Sequence, residues 1–431
     1  MSARIQIEEI AYAERPARTP VFLNRAVACV LFLALTVYML PRAVVPAMSR
    51  IDTDFPNYLT AAKLVANGRD VSRLYDDAWF REQMRGYGMP PVGKFSPFPP
   101  PTALLLVPLA PLEPLAALRV MTVVSLLCLI GSIWLLARAL SWSPLDAAVF
   151  VLLSGQALVS DLRFGQPYIL VSALCLAGYC AWRSGRPWLA GICFGLFVPI
   201  KYYPVIFLAG CAWRRQWRVV LGGAATIVAV SVIGIAALGW PLHATFLQSV
   251  LGNHLTGNLE GQDPFAAAFQ SFDTLFRRLF VLAAGENPHP LWDAPWLRVP
   301  SLLVTKAALL LLAALTWMKL ARRPIPGTAP DMGILGVLAV LMAPATAAYH
   351  FILLWLPVGL LVDYFLRARA RVVAYLILGA YALIGFFPYR FTAPFEGRGG
   401  LTLIAYPRLL LLLGVFIIFV YGVLSRRTSS T

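Results

Sequence analysis

Apolar runs close to twenty residues long, most of them ending at arginine or lysine, constrain this chain more than any other feature of it. The longest cover about residues 26–47, 115–140, 219–238, 300–318 and 403–424. A helix rises 1.5 Å per residue, so about 20 apolar residues are needed to cross a hydrocarbon layer about 30 Å thick. Only 13% of the residues are charged and 59% are hydrophobic, whereas a soluble domain carries about a quarter charged. Removing the runs leaves no segment large enough to build a soluble core. The predicted fold is all-α, a polytopic membrane bundle of about twelve transmembrane helices.

Charge fixes the expected sides. The net charge of +16 does not form a stripe that a nucleic acid could follow, since that would need a soluble face to carry it. The cations gather instead at the ends of apolar runs, as the positive-inside rule requires. Arg15, Arg18 and Arg25 precede the first run, which places a segment 1–25 in the cytosol. The run from Ala26 to Leu40 meets Pro41 and Pro46 without a small-residue cleavage site, so it reads as an uncleaved first span. Further spans are predicted at about 145–161, 167–182, 187–200, 203–213, 332–344, 351–366 and 372–387. The inner turns then carry Arg138, Arg183 and Arg186, Arg214, Arg215 and Arg218, Lys319, Arg322 and Arg323, Arg367, Arg369 and Arg371, and Arg426 and Arg427. Residues 26–424 form one transmembrane domain, 425–431 a cytosolic tail, and 48–98 and 240–299 two large outer loops. Residues 99–112 are short and broken by Pro99, Pro100, Pro101, Pro108 and Pro111. Proline disrupts a helix interior, so this piece reads as re-entrant; a full crossing there would invert every later side. The middle of the second loop, Phe265 to Leu282, has apolar residues at helical spacing around Arg277 and Arg278 and reads as an interfacial helix. The six cysteines, at 29, 128, 175, 180, 193 and 211, sit inside apolar runs without metal-ligand spacing and read as packing residues.

Polar side chains concentrate on the predicted outer side, in a plasma membrane protein with both termini cytosolic. Asp52, Asp54, Tyr58 and Lys63 follow the first span, with Tyr75, Asp76 and Asp77 further along the loop. Gln166 and Tyr168 lie at the next outer turn, then Lys201 and Tyr202. His254, Glu260, Gln270 and Ser271 belong to the second loop, and Tyr349 and His350 follow the ninth span. Ionisable groups at membrane depth are costly and commonly functional. This set suits group transfer from a lipid donor: a carboxylate takes the proton of an attacking hydroxyl, and a cation offsets charge on a departing phosphate. Each has a plainer reading. Asp54 has the sequence context of an N-cap, Lys201 of a snorkelling lysine and His350 of an interfacial histidine. Asp52, Asp76 and Glu260 read as solvated loop charges, Arg277 and Arg278 as contacts to lipid phosphates. There is no paired His, Asp or Glu spacing for a metal, no glycine-rich phosphate loop and no nucleophile elbow.

At these residues the chain resembles glycosyltransferase family 87. The similar stretches are Asp54-Phe55-Pro56 with Tyr58, Ala61-Ala62, Gly68 and Leu74-Tyr75-Asp76; Phe98-Pro99-Pro100 with Leu104-Leu105 and Pro108-Leu109; Phe164-Gly165-Gln166; Gly185-Arg186 with Gly191, Gly195 and Lys201-Tyr202 before Pro204; and Gln270-Ser271-Phe272 with Arg277-Arg278-Leu279. They come in the family's order over about residues 50–365, with departures at Leu59, Pro167 and Phe269. The resemblance implies a membrane-embedded GT-C fold and a polyprenyl-phosphate-sugar donor. It also implies Asp54 as catalytic base and Lys201 and His350 at the donor phosphate or acceptor. The resulting expectation is inverting transfer of a hexose, mannose first, from a polyprenyl-phosphate sugar to a lipid-linked or periplasmic glycan acceptor. No metal or other cofactor is expected. Lys201, Arg277 and Arg278 would hold the phosphate, and Tyr58, Tyr75, Gln166, Tyr202, His254, Gln270 and His350 would line the pocket, among membrane lipids and with no nucleic acid involved. The competing reading is a multi-pass transporter or a lipid or polysaccharide flippase. That class places charges near the midplane and shows related halves; here Lys306 is the clearest interior charge and no repeat is visible.

Overall fold

Helices that keep bare apolar side chains after packing need lipid as their solvent, and this chain has several. The computed structural model describes residues 24–257, 263–322, 325 and 327–425. Arg15, Arg18, Glu260, Arg323, Arg426 and Arg427 lie outside them, with most of segment 1–25 and of the tail. Helix α1 (Arg25–Met39) runs on through a π turn (Leu40–Val44) at Pro41 and a last turn (Val45–Ser49). The loop 48–98 holds α2 (Phe55–Ala66) and α3 (Asp77–Gly86). Then follow α4 (Pro114–Leu140), α5 (Pro144–Leu152), α6 (Gln156–Phe164), α7 (Tyr168–Arg183), α8 (Pro187–Gly195), α9 (Val205–Trp213) and α10 (Trp217–Leu238). The loop 240–299 contains α11 (Trp240–Thr245), α12 (Leu251–Leu255) and α13 (Phe272–Phe280). The chain closes with α14 (Arg298–Arg322), α15 (Pro330–Met342), α16 (Trp355–Arg367), α17 (Arg371–Phe386) and α18 (Pro407–Leu424). Among the described residues there is no strand, only an isolated bridge between Ala283 and Asn287.

Six helical segments are long and apolar enough to cross a membrane, and up to eight if each sharply bent pair counts as one. The expected count of twelve is therefore not reached by length. The predicted third span is the bent pair α5–α6, broken by 75° at Gly155, whose φ of +53° ends α5's direction. The predicted fifth and sixth spans are α8 and α9, nine residues each, about half the rise a crossing needs. The proline segment forms two 3-10 turns (Pro100–Leu104, Val107–Leu109), too short to cross, as its prolines predict.

Burial separates the helices by role. In α16 all residues but the last are buried, and it packs against α4, α5, α7, α15 and α17. On α10 and α14, Val228, Val232, Ile233, Leu303, Val304 and Leu311 stay more than half exposed, which places these two on the lipid side. A second core fills loop 48–98, where Phe55, Leu59, Phe80, Met84 and Phe95 pack on Leu118 and Leu242. Lys63 is not free for chemistry there. Its ammonium donates to the carbonyls of Ala110 and Leu112 at 2.7 and 2.8 Å, tying α2 to the end of the proline segment.

The predicted sides agree with which helix ends meet. Arg214 grips Asp331 at 2.6 and 2.5 Å, Arg367 donates to the Leu140 carbonyl at 3.0 Å, and Lys319 to that of Leu424 at 2.5 Å. These residues belong to one predicted face. Arg278 departs from the sequence reading. It is buried, donates to the carbonyls of Phe265 and Glu286 and pairs with Glu396 at 3.2 Å, so it joins loop 240–299 to the turns before α18 instead of facing lipid. The predicted helix over 265–282 is only α13, which starts where Ser271 caps the Thr274 amide.

Close approach of α8 and α10 sets the height of the loop that follows α8. A Cβ added at Gly195 would lie 2.5 Å from the Gly223 carbonyl oxygen, and one at Gly191 2.3 Å from that of Val219. Gly195→Val should therefore overpack this seam, at a cost of about 1–3 kcal/mol, and lower the thermal unfolding midpoint in detergent. Gly131→Ala, in α4 with open space around it, should leave the midpoint unchanged or raise it.

Candidate active site

Asp54 precedes α2, yet its side chain does not cap that helix. Pro56 at the second position starts α2 without needing an amide partner, and the Asp54 carboxylate turns aside. It accepts hydrogen bonds from the Gln166 amide at 2.7 Å and the Thr53 hydroxyl at 3.2 Å. Capping is instead the work of Asp76, which accepts from the Trp79 amide at 3.0 Å and pairs with Arg73. Asp52 is not a solvated charge either. Arg163 of α6 holds it at 2.8 and 3.1 Å, bracing the chain just before Asp54.

Gln166 reaches Asp54 because α6 ends in a Schellman turn. Gly165 adopts φ +60°, the left-handed conformation that glycine enters without cost. The Gln166 amide then bonds the Asp161 carbonyl at 2.9 Å and the Gly165 amide that of Leu162 at 3.3 Å, the paired contacts of that motif. A Cβ on residue 165 would also sit 2.7 Å from the Phe55 ring, so glycine lets α2 lie against this turn. Beyond Pro167, the Asp161 carboxylate accepts from the Tyr168 amide at 3.1 Å and caps the start of α7.

Lys201 enters from the loop between α8 and α9. Tyr203 fixes that loop by donating to the carbonyl of Leu353 at 3.0 Å or of Gly336 at 3.3 Å. The Lys201 ammonium is boxed by aromatic faces, 4.3 Å from the Phe98 ring centre, 4.9 Å from Tyr168 and 5.5 Å from Tyr58. Such faces attract a cation and replace part of its water. It also donates to the Tyr58 hydroxyl at 3.1 Å. Tyr58 donates in turn to the Gln166 carbonyl oxygen at 2.6 Å, which turns the Gln166 NH2 group toward Asp54. A continuous chain results: Lys201, Tyr58, Gln166, Asp54, every hydrogen pointing from cation to carboxylate. His350 joins through Tyr168, its Nε2 lying 2.8 Å from the phenol oxygen.

The environment shifts both charged ends. Desolvation raises the Asp54 pKa above the ordinary carboxylate range, while the Gln166 and Thr53 hydrogen bonds and the charge of Lys201 pull it back. Desolvation lowers Lys201 to about 7, opposed by the charges of Asp54 and Asp161. Both shifts follow from taking the charged form out of water. The carboxylate is thereby a stronger base than in water, and the ammonium holds its proton partly through its neighbours.

The structure thus joins Asp54, Tyr58, Gln166, Lys201 and His350 in one cluster. Tyr75 stands behind it, donating to the Phe98 carbonyl at 2.7 Å and so holding one wall of the lysine box. His254 lies within electrostatic range; burial, and then the charge of Lys201, lower its pKa. The other residues singled out from the sequence do not join the hydrogen-bonded cluster. Tyr202 is 39% exposed. The Gln270 amide donates to the carbonyls of Ala267 and Ala405 and accepts from the Arg408 amide, seating the start of α18. Arg277 donates to the Gly257 carbonyl at 3.0 Å, and Arg278 is committed as described above. Asp161 is the residue the sequence reading passed over, a carboxylate with no exposure inside a predicted span; its charge in an apolar run was the available signal. Among the described residues, no three His, Cys, Asp or Glu side chains meet in a way that could hold a metal ion.

Two curated relatives are each a polyprenol-phosphate-mannose-dependent alpha-(1-2)-phosphatidylinositol mannoside mannosyltransferase. The one from Mycolicibacterium smegmatis is 25% identical over 233 residues, 52% of this chain and 47% of that protein. The one from Mycobacterium tuberculosis is 26% identical over 222 residues, 51% of this chain and 46% of that protein. The aligned stretches span about half the length of these relatives. The profile of glycosyltransferase family 87 matches residues 97–344; Gln166 and Lys201 fall inside that stretch, Asp54 and Tyr58 before it and His350 after it. That match covers more than half of the 431 residues, and the chain belongs to glycosyltransferase family 87.

Proposed function

We propose that this protein transfers a hexose, mannose first, from a polyprenyl-phosphate sugar to a hydroxyl of a lipid-linked or periplasmic glycan. The observation that carries the reading is the oriented hydrogen-bond chain between Lys201 and Asp54. It supplies a base and a cation in one cluster without letting them neutralise each other in a direct ion pair. The names of the two relatives favour the mannose donor and a lipid acceptor.

In this reaction the acceptor oxygen attacks the anomeric carbon from the side opposite the phosphate, so one displacement inverts that carbon. The bond from carbon to phosphate oxygen breaks, and its electron pair stays on the phosphate. The acceptor proton passes to Asp54, whose raised basicity suits that role. Charge growing on the phosphate is met by Lys201. Gln166 and Tyr58 hold both ends in place, and His254 and His350 would contact the substrates. The leaving group is a single phosphate with a fixed cation beside it, so we assign no role to a metal, and turnover in a chelator should match turnover without it. The positive-inside pattern supports a site on the outer side of the plasma membrane, with the bundle's other face, Arg214 to Asp331 and Arg367, toward the cytosol.

Purified protein given radiolabelled polyprenyl-phosphate mannose and a panel of glycolipid acceptors tests the reading. A new mannosylated product supports it; label that crosses a vesicle bilayer chemically unchanged identifies a flippase instead. Asp54→Asn should keep the unfolding midpoint and reduce kcat by at least about 100-fold, in line with the usual worth of a positioned base; retained turnover removes Asp54 from the role.

The pH profile of kcat/KM should be bell-shaped. Activity falls with acid as Asp54 gains a proton, at a pH above the ordinary carboxylate range because its pKa is raised. It falls with base as Lys201 loses its proton, near pH 7 in the free enzyme. Phosphate bound beside Lys201 favours the charged amine, so the basic limb of kcat should lie at higher pH than that of kcat/KM. Lys201→Arg keeps its charge at all accessible pH and should abolish the basic limb in whatever activity it retains.

A further inference from the structure

Tyr168 is a residue to which the comparisons give no role. It opens α7, is 5% exposed, and stacks on Tyr349 with ring centres 5.3 Å apart. Its hydrogen bond to His350 has a direction that can be worked out. The Ala347 amide lies 2.9 Å from His350 Nδ1 in donor geometry. A backbone N–H can only donate, so that nitrogen presents a lone pair; the Ala347 carbonyl is the longer contact, at 3.3 Å. The imidazole proton is then on Nε2. Nε2 donates across the 2.8 Å to the phenol oxygen, and the phenol's own hydrogen is left unspent. No other hydrogen-bond partner of the Tyr168 hydroxyl occurs among the described residues.

A phenol hydrogen without an acceptor, on a ring 4.9 Å from the Lys201 ammonium, calls for an anionic oxygen at that place. We propose that Tyr168 is a catalytic residue that donates its phenol hydrogen bond to the phosphate oxygen leaving the sugar, and that His350 is a positioning residue that frees this hydrogen by donating from Nε2. This inference rests on the transferase reading and deepens it. No proton moves at Tyr168. The carbon–oxygen bond breaks, its electron pair stays on the phosphate, the acceptor proton goes to Asp54, and the phenol keeps its hydrogen while its bond to the oxygen strengthens as charge develops. Lys201 and Tyr168 then form a two-donor cradle, one charged and one neutral, with Phe98 and Tyr58 closing the sides of the lysine. A purely structural Tyr168 would need its ring, for stacking and for the cation contact, and its oxygen as acceptor for His350, but no hydrogen-bond partner for the phenol hydrogen.

Tyr168→Phe separates the two roles because it keeps the ring and removes the hydroxyl. The full chain in lipid nanodiscs is compared with the variant for binding of a short prenyl monophosphate, with the matching prenol as control, and for mannose transfer. The unfolding midpoint should fall modestly, because the His350 Nε2–H loses its acceptor. Prenyl monophosphate should bind about 10-fold more weakly, as for a lost hydrogen bond to a charged group, prenol binding should not change, and kcat should fall about 100-fold. His350→Ala should lose less than Tyr168→Phe, because the phenol keeps its hydrogen and loses only the partner that orients it, and His350→Gln, which can still donate from its amide, should recover part of that loss. Wild-type phosphate affinity and turnover in Tyr168→Phe would overturn the proposal, as would equal losses in His350→Gln and His350→Ala. If the wild type binds the monophosphate more tightly than Tyr168→Phe but transfers no sugar, the hydrogen bond stands and the transferase reading falls. Wild-type protein that neither binds nor transfers overturns both.

Discussion

The hydrogen-bonded path from the Lys201 ammonium to the Asp54 carboxylate is the constraint on which the rest of the site depends. A lysine taken out of water is destabilised unless something replaces its hydration. Here three aromatic faces and one phenol do so, and the negative charges of Asp54 and Asp161 oppose the remaining penalty. Each partner comes from a different stretch of chain: Tyr58 from α2, Phe98 from the proline segment, Gln166 and Tyr168 from the turn between α6 and α7. The lysine therefore holds together elements that would otherwise meet only through apolar contact. The bundle in turn holds the lysine, through the glycine seam of α8 and α10 and the anchoring of Tyr203.

Helix length follows from that division of labour. The long apolar helices α10 and α14 expose their side chains and need only reach across the bilayer, while α16 at the centre is buried almost throughout. The short elements α6 and α8 end just before residues of the site: Gly165 and Gln166 follow α6, and Lys201 follows α8. A loop at membrane depth is tolerable only where protein covers its backbone. Here α2, the proline turns and Lys63's bonds to Ala110 and Leu112 provide such cover around loop 48–98. Loop 240–299 is secured separately, by Arg278 on Glu396 and Gln270 on the start of α18.

What the sequence discloses tracks what its signals measure. Hydropathy marks the long helices well because a twenty-residue apolar run has few alternatives. It suggests twelve crossings where six to eight segments among the described residues are long and apolar enough, because α8 and α9 are as apolar as a span and composition does not reveal their length. Helix ends that arginine and lysine assign to one side do meet, Arg214 with Asp331 and Arg367 with the Leu140 carbonyl. Polar residues on the predicted outer rim include the cluster now seen, but chemistry alone does not say which of them are free. Arg278, Gln270, Asp76 and Lys63 are polar, near the site in sequence pattern and fully engaged in holding loops. Asp161 fails the other way: within an apolar run it looks like part of a span, and only the Schellman turn at Gly165 shows that it faces the start of α7. The direction of each hydrogen bond, on which the chemistry turns, requires the geometry of Ala347 against His350 and of Gln166 between its two neighbours.

Separation of charge is what distinguishes this arrangement from an ordinary buried ion pair. In direct contact, Lys201 would stabilise the Asp54 anion and make it a poor base, while Asp54 would occupy the cation that a phosphate must find. Tyr58 and Gln166 stand between them, and both are neutral. Dipoles aligned along the path still let each charge steady the other and oppose part of the desolvation penalty at both ends, but the basicity that burial gives Asp54 is not cancelled. A substrate pair that brings its own phosphate to Lys201 and its own hydroxyl to Asp54 then completes two half-satisfied groups at once. In the proposed reaction both gains grow together as the glycosidic bond lengthens. Charge then reaches the phosphate at the moment the hydroxyl gives up its proton, so binding energy at the two ends of the path favours the transition state over either substrate alone.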